Sequence, residues 1–281
     1  MIRDYTKSDL EEIIRIYTTD YMAMPEEIEA LKSAAKILVC DEKGIIRGFV
    51  HIMGKGTERT IEIGIGEKSD ILSTGHALWM EAEKYLKDHE VAFVQTYHVK
   101  DIREYVELFE ELSFQYWYSV YRLLYQGNKK PDRDLQSVPY EDRYYEDKIR
   151  LESEAFSPLR EKHDIRPYNW FLSADEASLS YNRKYTEKNK EYIHLFFEHD
   201  ELAGASMVKD AEVELLFTSV KFQGQGLGRK ILEFSINEGL DQNPTGVRLN
   251  VLAENEKALR LYTDTGFEFI QAQDSRRLFL R

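Results

Sequence analysis

The chain has 281 residues, enough for two domains that each bury a core, and its 51 acidic against 38 basic side chains give a formal net charge of −13. That charge argues against nonspecific binding to nucleic acid or to an anionic membrane and is compatible with a cationic acceptor. No stretch approaches a membrane span and the start, Met1-Ile2-Arg3-Asp4-Tyr5, has no apolar core of signal length, so a cytoplasmic protein is expected.

Leu10, Ile13, Ile14 and Tyr17 recur at helical spacing over residues 9–17, with Ser8 as a cap and Glu11 three residues on. Residues 37–40 and 45–53 read as strands around the turn Asp41-Glu42-Lys43-Gly44, and residues 60–65 as a third strand. The lone Cys40 ends an apolar run and reads as a buried small residue. Leu78, Ala82, Tyr85 and Leu86 stripe a helix, followed by a strand at 91–97, a helix at 101–112 and a strand at 114–125. Residues 127–134 are charged, contain Gly and Pro and have little to bury, which places a linker over 127–139 between domains at 1–126 and 140–281. The same order then recurs: a helix at 144–156, a hairpin of 192–198 and 202–208, a strand at 212–218, a helix to about residue 238, a strand at 247–252, a helix at 255–263 and strands from Phe267. One mixed α/β fold is used twice, each sheet carrying helices on both faces.

Gln223-Gly224-Gln225-Gly226-Leu227-Gly228-Arg229 joins the strand at 212–218 to the helix after it. Glycines there permit positive φ and close backbone approach, so successive N–H groups converge on an anion at a helix start. The spacing fits neither a P-loop, which needs Gly, four intervening residues and then Gly-Lys-Ser/Thr, nor a dinucleotide fingerprint, because Arg229 stands where the third glycine belongs. What remains is Gln-x-x-Gly-x-Gly.

With residues 216–228 and the downstream set Leu249-Asn250-Val251, Asn255, Ala258, Leu261-Tyr262 and Gly266-Phe267, the second half resembles the GNAT superfamily of acetyl-coenzyme A dependent N-acetyltransferases. The resemblance implies two GNAT-like domains, each a mostly antiparallel twisted sheet flanked by helices. It also implies acetyl-CoA as co-substrate without a metal. The amides of Gly224, Gln225, Gly226, Leu227, Gly228 and Arg229, with Gln223, would grip the pyrophosphate, and Leu216, Phe217 and Thr218 would lie beside the pantetheine and thioester, an amide near Thr218 polarising the carbonyl. Asn255 would bind the pantetheine arm and Tyr262, seven residues on along the same helix face, would protonate the departing thiolate. Glu212 is the candidate general base, and Glu214, two residues on and so on the same strand face, is the runner-up; both also fit solvated strand carboxylates. Asn250 stands where some relatives carry glutamate, and an amide cannot serve as base.

Aligned on Leu112-Ser113-Phe114, the first half places Phe109 opposite Tyr262 and Ile102 opposite Asn255, and its loop at 66–75 lacks the glycine spacing and carries carboxylates. A degenerate, noncatalytic domain is expected there, supporting the second domain or walling its acceptor pocket. His194, Glu198 and His199 fit no zinc-peptidase spacing, and Arg183, Lys184, Lys188 and Lys190 read as a solvated face. Residues 157–170 read as a loop whose His163, Asp164, Tyr168 and Trp170 could contact an amine or simply cap a surface. Two functions fit: transfer of acetyl to an amine, a small molecule being favoured, or a noncatalytic acyl-CoA-binding module.

Overall fold

In the computed structural model, residues 1–20, 31 and 34–280 are described. In chain order the elements are β1 (Ile2–Asp4), α1 (Leu10–Arg15), β2 (Lys36–Glu42), β3 (Ile45–Met53), β4 (Glu58–Ile65), α2 (Ile71–Asp88), β5 (Phe93–Val99), α3 (Arg103–Glu111), β6 (Gln115–Tyr125), β7 (Gln136–Pro139), α4 (Tyr145–Lys162), α5 (Trp170–Ser173), α6 (Glu176–Lys188), β8 (Ile193–Glu198), β9 (Glu201–Lys209), β10 (Glu212–Thr218), α7 (Leu227–Gln242), β11 (Val247–Leu252), α8 (Glu256–Thr265) and β12 (Glu268–Phe279). They form two compact units, residues 1–120 with 271–281, and residues 121–270. Residues 271–281 group with the first unit because β12 pairs antiparallel with β5 from Gln273↔Val99 to Phe279↔Phe93. The expected linker region ends in a strand, β7, paired antiparallel with β8.

In the first unit the strand order is β1-β2-β3-β4-β5-β12, antiparallel except for β4 and β5. Phe49 and His51 alternate with Val50 and Ile52 along β3 and all four are fully buried, which requires cover on both faces. α1 and α2 both pack on β3, and Tyr17 stacks on Phe49 at 4.8 Å between centroids. The helical start is capped one turn earlier than the sequence suggests. The Asp9 carboxylate accepts the Thr6 N–H at 2.7 Å and pairs with Arg3 at 2.8 and 2.9 Å, so Thr6 and Asp9 replace Ser8 and Glu11 as the cap. Cys40 is only partly buried, at the margin of this core.

The second unit orders its strands β6-β11-β10-β9-β8-β7, with β10 and β11 parallel and β7 to β10 antiparallel. The β8–β9 hairpin turns on His199 and Asp200, at φ 53° and 63°, a pair of left-handed residues that suits the twist of a two-residue turn. β9 carries Ala203-Gly204-Ala205-Ser206, all buried, and both α4 and α7 pack on it. Gly204 permits the closest approach: a Cβ there would stand 2.6 Å from the Phe217 carbonyl oxygen on β10 and 2.7 Å from Ile231 of α7. α4 runs through Lys162 with Pro158 inside it, so the first part of the expected 157–170 loop is helix. Proline removes only one donor there, and Ser157 returns its hydroxyl to the Ser153 carbonyl at 2.7 Å.

Gly204→Ala should destabilise the chain by about 1–3 kcal/mol, because backbone oxygen cannot move aside as a side-chain end can. Chemical denaturation of the two proteins checks this, and equal midpoints would show that β9 and β10 do not depend on the close approach.

Candidate active site

β10 and β11 pair through only Glu212↔Arg248 and Val213↔Leu249, then part. On its other edge β10 stays paired to β9 up to Thr218↔Gly204. The Ser219 N–H donates to the Ala203 carbonyl at 2.8 Å, so strand alternation turns the N–H groups of Thr218 and Leu216 to the opposite, open edge. A cleft of about 660 Å³ occupies the gap, with Phe156, Leu159 and Lys162 of α4 on one wall and Asn255, Ala258 and Tyr262 on the other. Leu216, Phe217, Thr218, Gln223, Gly224 and Gly228 also line it, so these residues singled out from sequence share one space with Asn255 and Tyr262, whereas Glu212, Gln225, Gly226, Leu227 and Arg229 are not part of its lining.

The loop is shaped by its glycines and held by its glutamines. Gly224 and Gly226 sit at φ 76° and 86°, and a Cβ on either would meet no atom within 4 Å, leaving their backbone open in front. Gln223 donates its side-chain amide to the Thr218 carbonyl at 3.1 Å and Gln225 donates to the Lys221 carbonyl at 3.0 Å, so both side chains fold the loop. Leu227 is buried and anchors the first turn of α7. The Arg229 and Lys230 N–H groups bond the Gly226 carbonyl at 3.2 and 3.3 Å, which directs the Arg229 amide into the helix. The candidate anion-binding run is therefore 224–228. Its residues fit a pyrophosphate in that two positive-φ glycines with open Cβ positions lead into the start of a long helix, where backbone N–H groups lack helical partners.

On α8 the Asn255 side-chain carbonyl accepts the Ala258 N–H at 3.3 Å, capping the helix and leaving its Nδ2 as the donor for a ligand. Tyr262 is 8% exposed, packs on Phe267 at 6.0 Å and has its phenol pushed up to about 12 by burial, so it keeps its proton throughout the neutral range. Ala258, between them on the helix, presents only a methyl group to the cleft.

Glu212 and Glu214 do not follow the simple alternation expected. The register shifts between Val213 and Leu215, a bulge that makes Glu214 the extra residue and interrupts the pleat on which a shared face depends. Glu212 accepts from the Asn250 side-chain amide at 2.8 Å, and Glu214 accepts from the Tyr185 hydroxyl at 2.9 Å. Asn250 thus orients a carboxylate. Sequence reasoning missed Tyr185 because α6 was passed over for its basic run; Asp175, capping the Ser178 N–H at 2.7 Å, and Tyr181 with Tyr185 four residues on were its signals. In that run Arg183 pairs with Asp142 and Lys190 with Glu187 at 2.6 Å, both exposed. Tyr168 donates to Asp164 within its own segment, and Arg160 lies over Trp170 at 5.9 Å, so these two aromatic residues pack locally. Half-buried His194 packs on Phe234 at 4.9 Å. Among the described residues no group of His, Cys, Asp or Glu could hold a metal, and no helix is long and apolar enough to cross a membrane.

The first unit repeats the parting of strands. β4 and β5 pair from Glu58↔Phe93 to Ile61↔Thr96, and the Gly66 N–H donates to the Arg47 carbonyl at 2.9 Å, which turns the Ile65 N–H outward as in Thr218. Here the Tyr105 hydroxyl, from α3, accepts that N–H at 3.0 Å in a buried contact. Phe109 is fully buried, and a Cβ on Gly75 of α2 would stand 2.4 Å from Leu108. Asp70 spends its carboxylate on the Ser73 N–H at 2.6 Å. The slot is filled by the protein itself.

Residues 171–278 match the family model of the acetyltransferase (GNAT) domain. The fold extends further: a GCN5-related N-acetyltransferase from Sphaerobacter thermophilus superposes with a TM-score of 0.78 at 15% identity, over 100% of this chain and 96% of its own. A tandem GNAT protein from the clavulanic acid biosynthesis pathway gives 0.65 at 12% identity over 99% and 98% of the two chains. A GNAT-family acetyltransferase from Colwellia psychrerythraea gives 0.60 at 13% over the full length of both. Residues 171–278 are thus similar to a GNAT acetyltransferase domain, and the whole chain shares the fold of these structures.

Because burial alone raises the Tyr262 pKa, the folded state favours the neutral phenol; that stabilisation is complete below about pH 10, the unfolded value, and is lost as pH rises towards about 12. Tyr262→Phe should match the wild type within about 0.5 kcal/mol at pH 7 and fall off less steeply in alkali. Denaturant melts at both pH values measure the difference, and parallel alkaline losses would contradict it.

Proposed function

We propose that the chain is an acetyl-CoA-dependent N-acetyltransferase with one active site, in its second half, residues 140–281, and that residues 1–126 form a noncatalytic GNAT-like domain joined to it through 127–139. The observation that carries this reading is the meeting, along a single cleft, of outward N–H groups at Leu216 and Thr218, the open glycine loop and a buried, protonated phenol. Acetyl-CoA supplies an activated acyl group on a good leaving thiol. The amides of 224–228 hold the pyrophosphate, and Asn255 Nδ2 donates to the pantetheine arm. Thr218 N–H donates to the thioester oxygen as charge builds there during direct attack by the acceptor nitrogen. Tyr262 delivers its proton to the departing sulfur as the C–S bond breaks, and the proton the new amide nitrogen sheds restores the phenol. Glu212, oriented by Asn250, takes the proton that an ammonium acceptor must lose, with Glu214 and its Tyr185 partner as the alternative. A small-molecule amine is the favoured acceptor. A noncatalytic acyl-CoA-binding module would have no use for a proton donor at Tyr262, which favours the enzyme.

Thiol release from acetyl-CoA across a panel of amines tests the reading. Tyr262→Phe should lower kcat by about 10²-fold or more while leaving the acetyl-CoA Kd within about threefold. Binding without turnover on any amine would favour the module, and absence of binding would refute both. Glu212→Gln should lower kcat/KM at neutral pH and recover as pH rises towards the amine's own pKa; if Glu214→Gln shows that pattern instead, the base moves to Glu214.

A further inference from the structure

Two side chains outside the proposed chemistry link the walls of the cleft. His163 caps α4, whose Leu159 and Lys162 line one wall, and Glu254 follows β11 and immediately precedes Asn255 on the other. His163 Nε2 and Glu254 Oε2 stand 4.0 Å apart, with side chains 11% and 30% exposed, an ion pair whenever the imidazole carries its second proton. The helix end that presents His163 is fixed by its backbone. Asp164 takes the left-handed conformation at φ 52°, its N–H bonds the Glu161 carbonyl at 3.2 Å, and the Ile165 N–H bonds the Arg160 carbonyl at 2.8 Å, the Schellman pattern. Glu254 itself lines the cleft, and Asn255 holds the first turn of α8, which carries Tyr262 on the same face. Lys162 and Lys257 bring the neighbouring positive charge on the two walls, and Glu256 the negative.

We infer that His163 and Glu254 are a positioning pair: by tying the end of α4 to the residue before Asn255, they set the width of the cleft around the acyl-CoA arm. The inference rests on the acetyl-CoA reading. It assigns the pair to holding the ligand, not to the proton transfers, so its loss acts on binding and spares the chemical step at saturation. His163 lies before the matched family segment, which starts at residue 171.

A double-mutant cycle tests it. His163→Ala and Glu254→Gln, the latter close to isosteric, should each raise the acetyl-CoA Kd and KM by about 3–10-fold, and the double variant should be no worse than the worse single change. kcat at saturating acetyl-CoA should stay within about twofold, and Glu254→Asp, which keeps the charge, should recover part of the affinity. Thermal melts of all variants identify any loss due to unfolding. Single changes that leave Kd within about twofold, effects that multiply in the double variant, or a fall in kcat at unchanged KM would each overturn the pair's role. A wild-type chain that binds no acetyl-CoA overturns the functional reading and this role with it; normal binding with uncoupled variants overturns this role alone.

Discussion

The site depends on one constraint: β10 is paired along its length on one edge and almost unpaired on the other. Contact with β9 is enforced by Gly204, which lets backbone meet backbone, while contact with β11 ends at Val213↔Leu249. An unpaired strand edge normally costs unsatisfied hydrogen bonds, so outward N–H groups lining a cleft imply either water or a ligand with acceptors in the same positions. The loop at 224–228 continues that edge with further amides, and α8 closes the opposite side with a capped N-terminus and a buried phenol. Every assignment in the proposed chemistry follows from how these three pieces face one gap.

The first unit meets the same constraint with a different solution. Its strands part in the same place, and its equivalent amide, on Ile65, is satisfied by Tyr105. In the alignment that places Phe109 opposite Tyr262, Tyr105 stands opposite Ala258, so at this helix position a phenol that satisfies the strand amide replaces a methyl group. Filling the slot internally removes the cost of the open edge at Ile65. It is one reason for proposing residues 1–126 as noncatalytic.

Much of this was legible in the sequence because the elements around the site have strong local signals. β10 and β11 span the residues their apolar patterns mark, and α8 starts within one residue of the helix read at 255–263. What was hidden depends on contacts distant in sequence or on backbone irregularity. Alternation gives no warning of the bulge at Glu214, and Pro158 reads as a stop although packing of α4 on β9 and β10 carries the helix past it. The partners of the candidate carboxylates, Asn250 and Tyr185, come from a neighbouring strand and from a helix whose polar composition masked it. The destination of β12 beside β5 is a tertiary pairing that no local pattern encodes.

The central claim is a single acyl-CoA site whose existence turns on the open slot at Ala258. Calorimetric titration of acetyl-CoA into the full chain and into Ala258→Tyr tests it most directly. One equivalent bound by the wild type and none by the variant is the expected result; two equivalents, no binding to the wild type, or undiminished binding to the variant would contradict it.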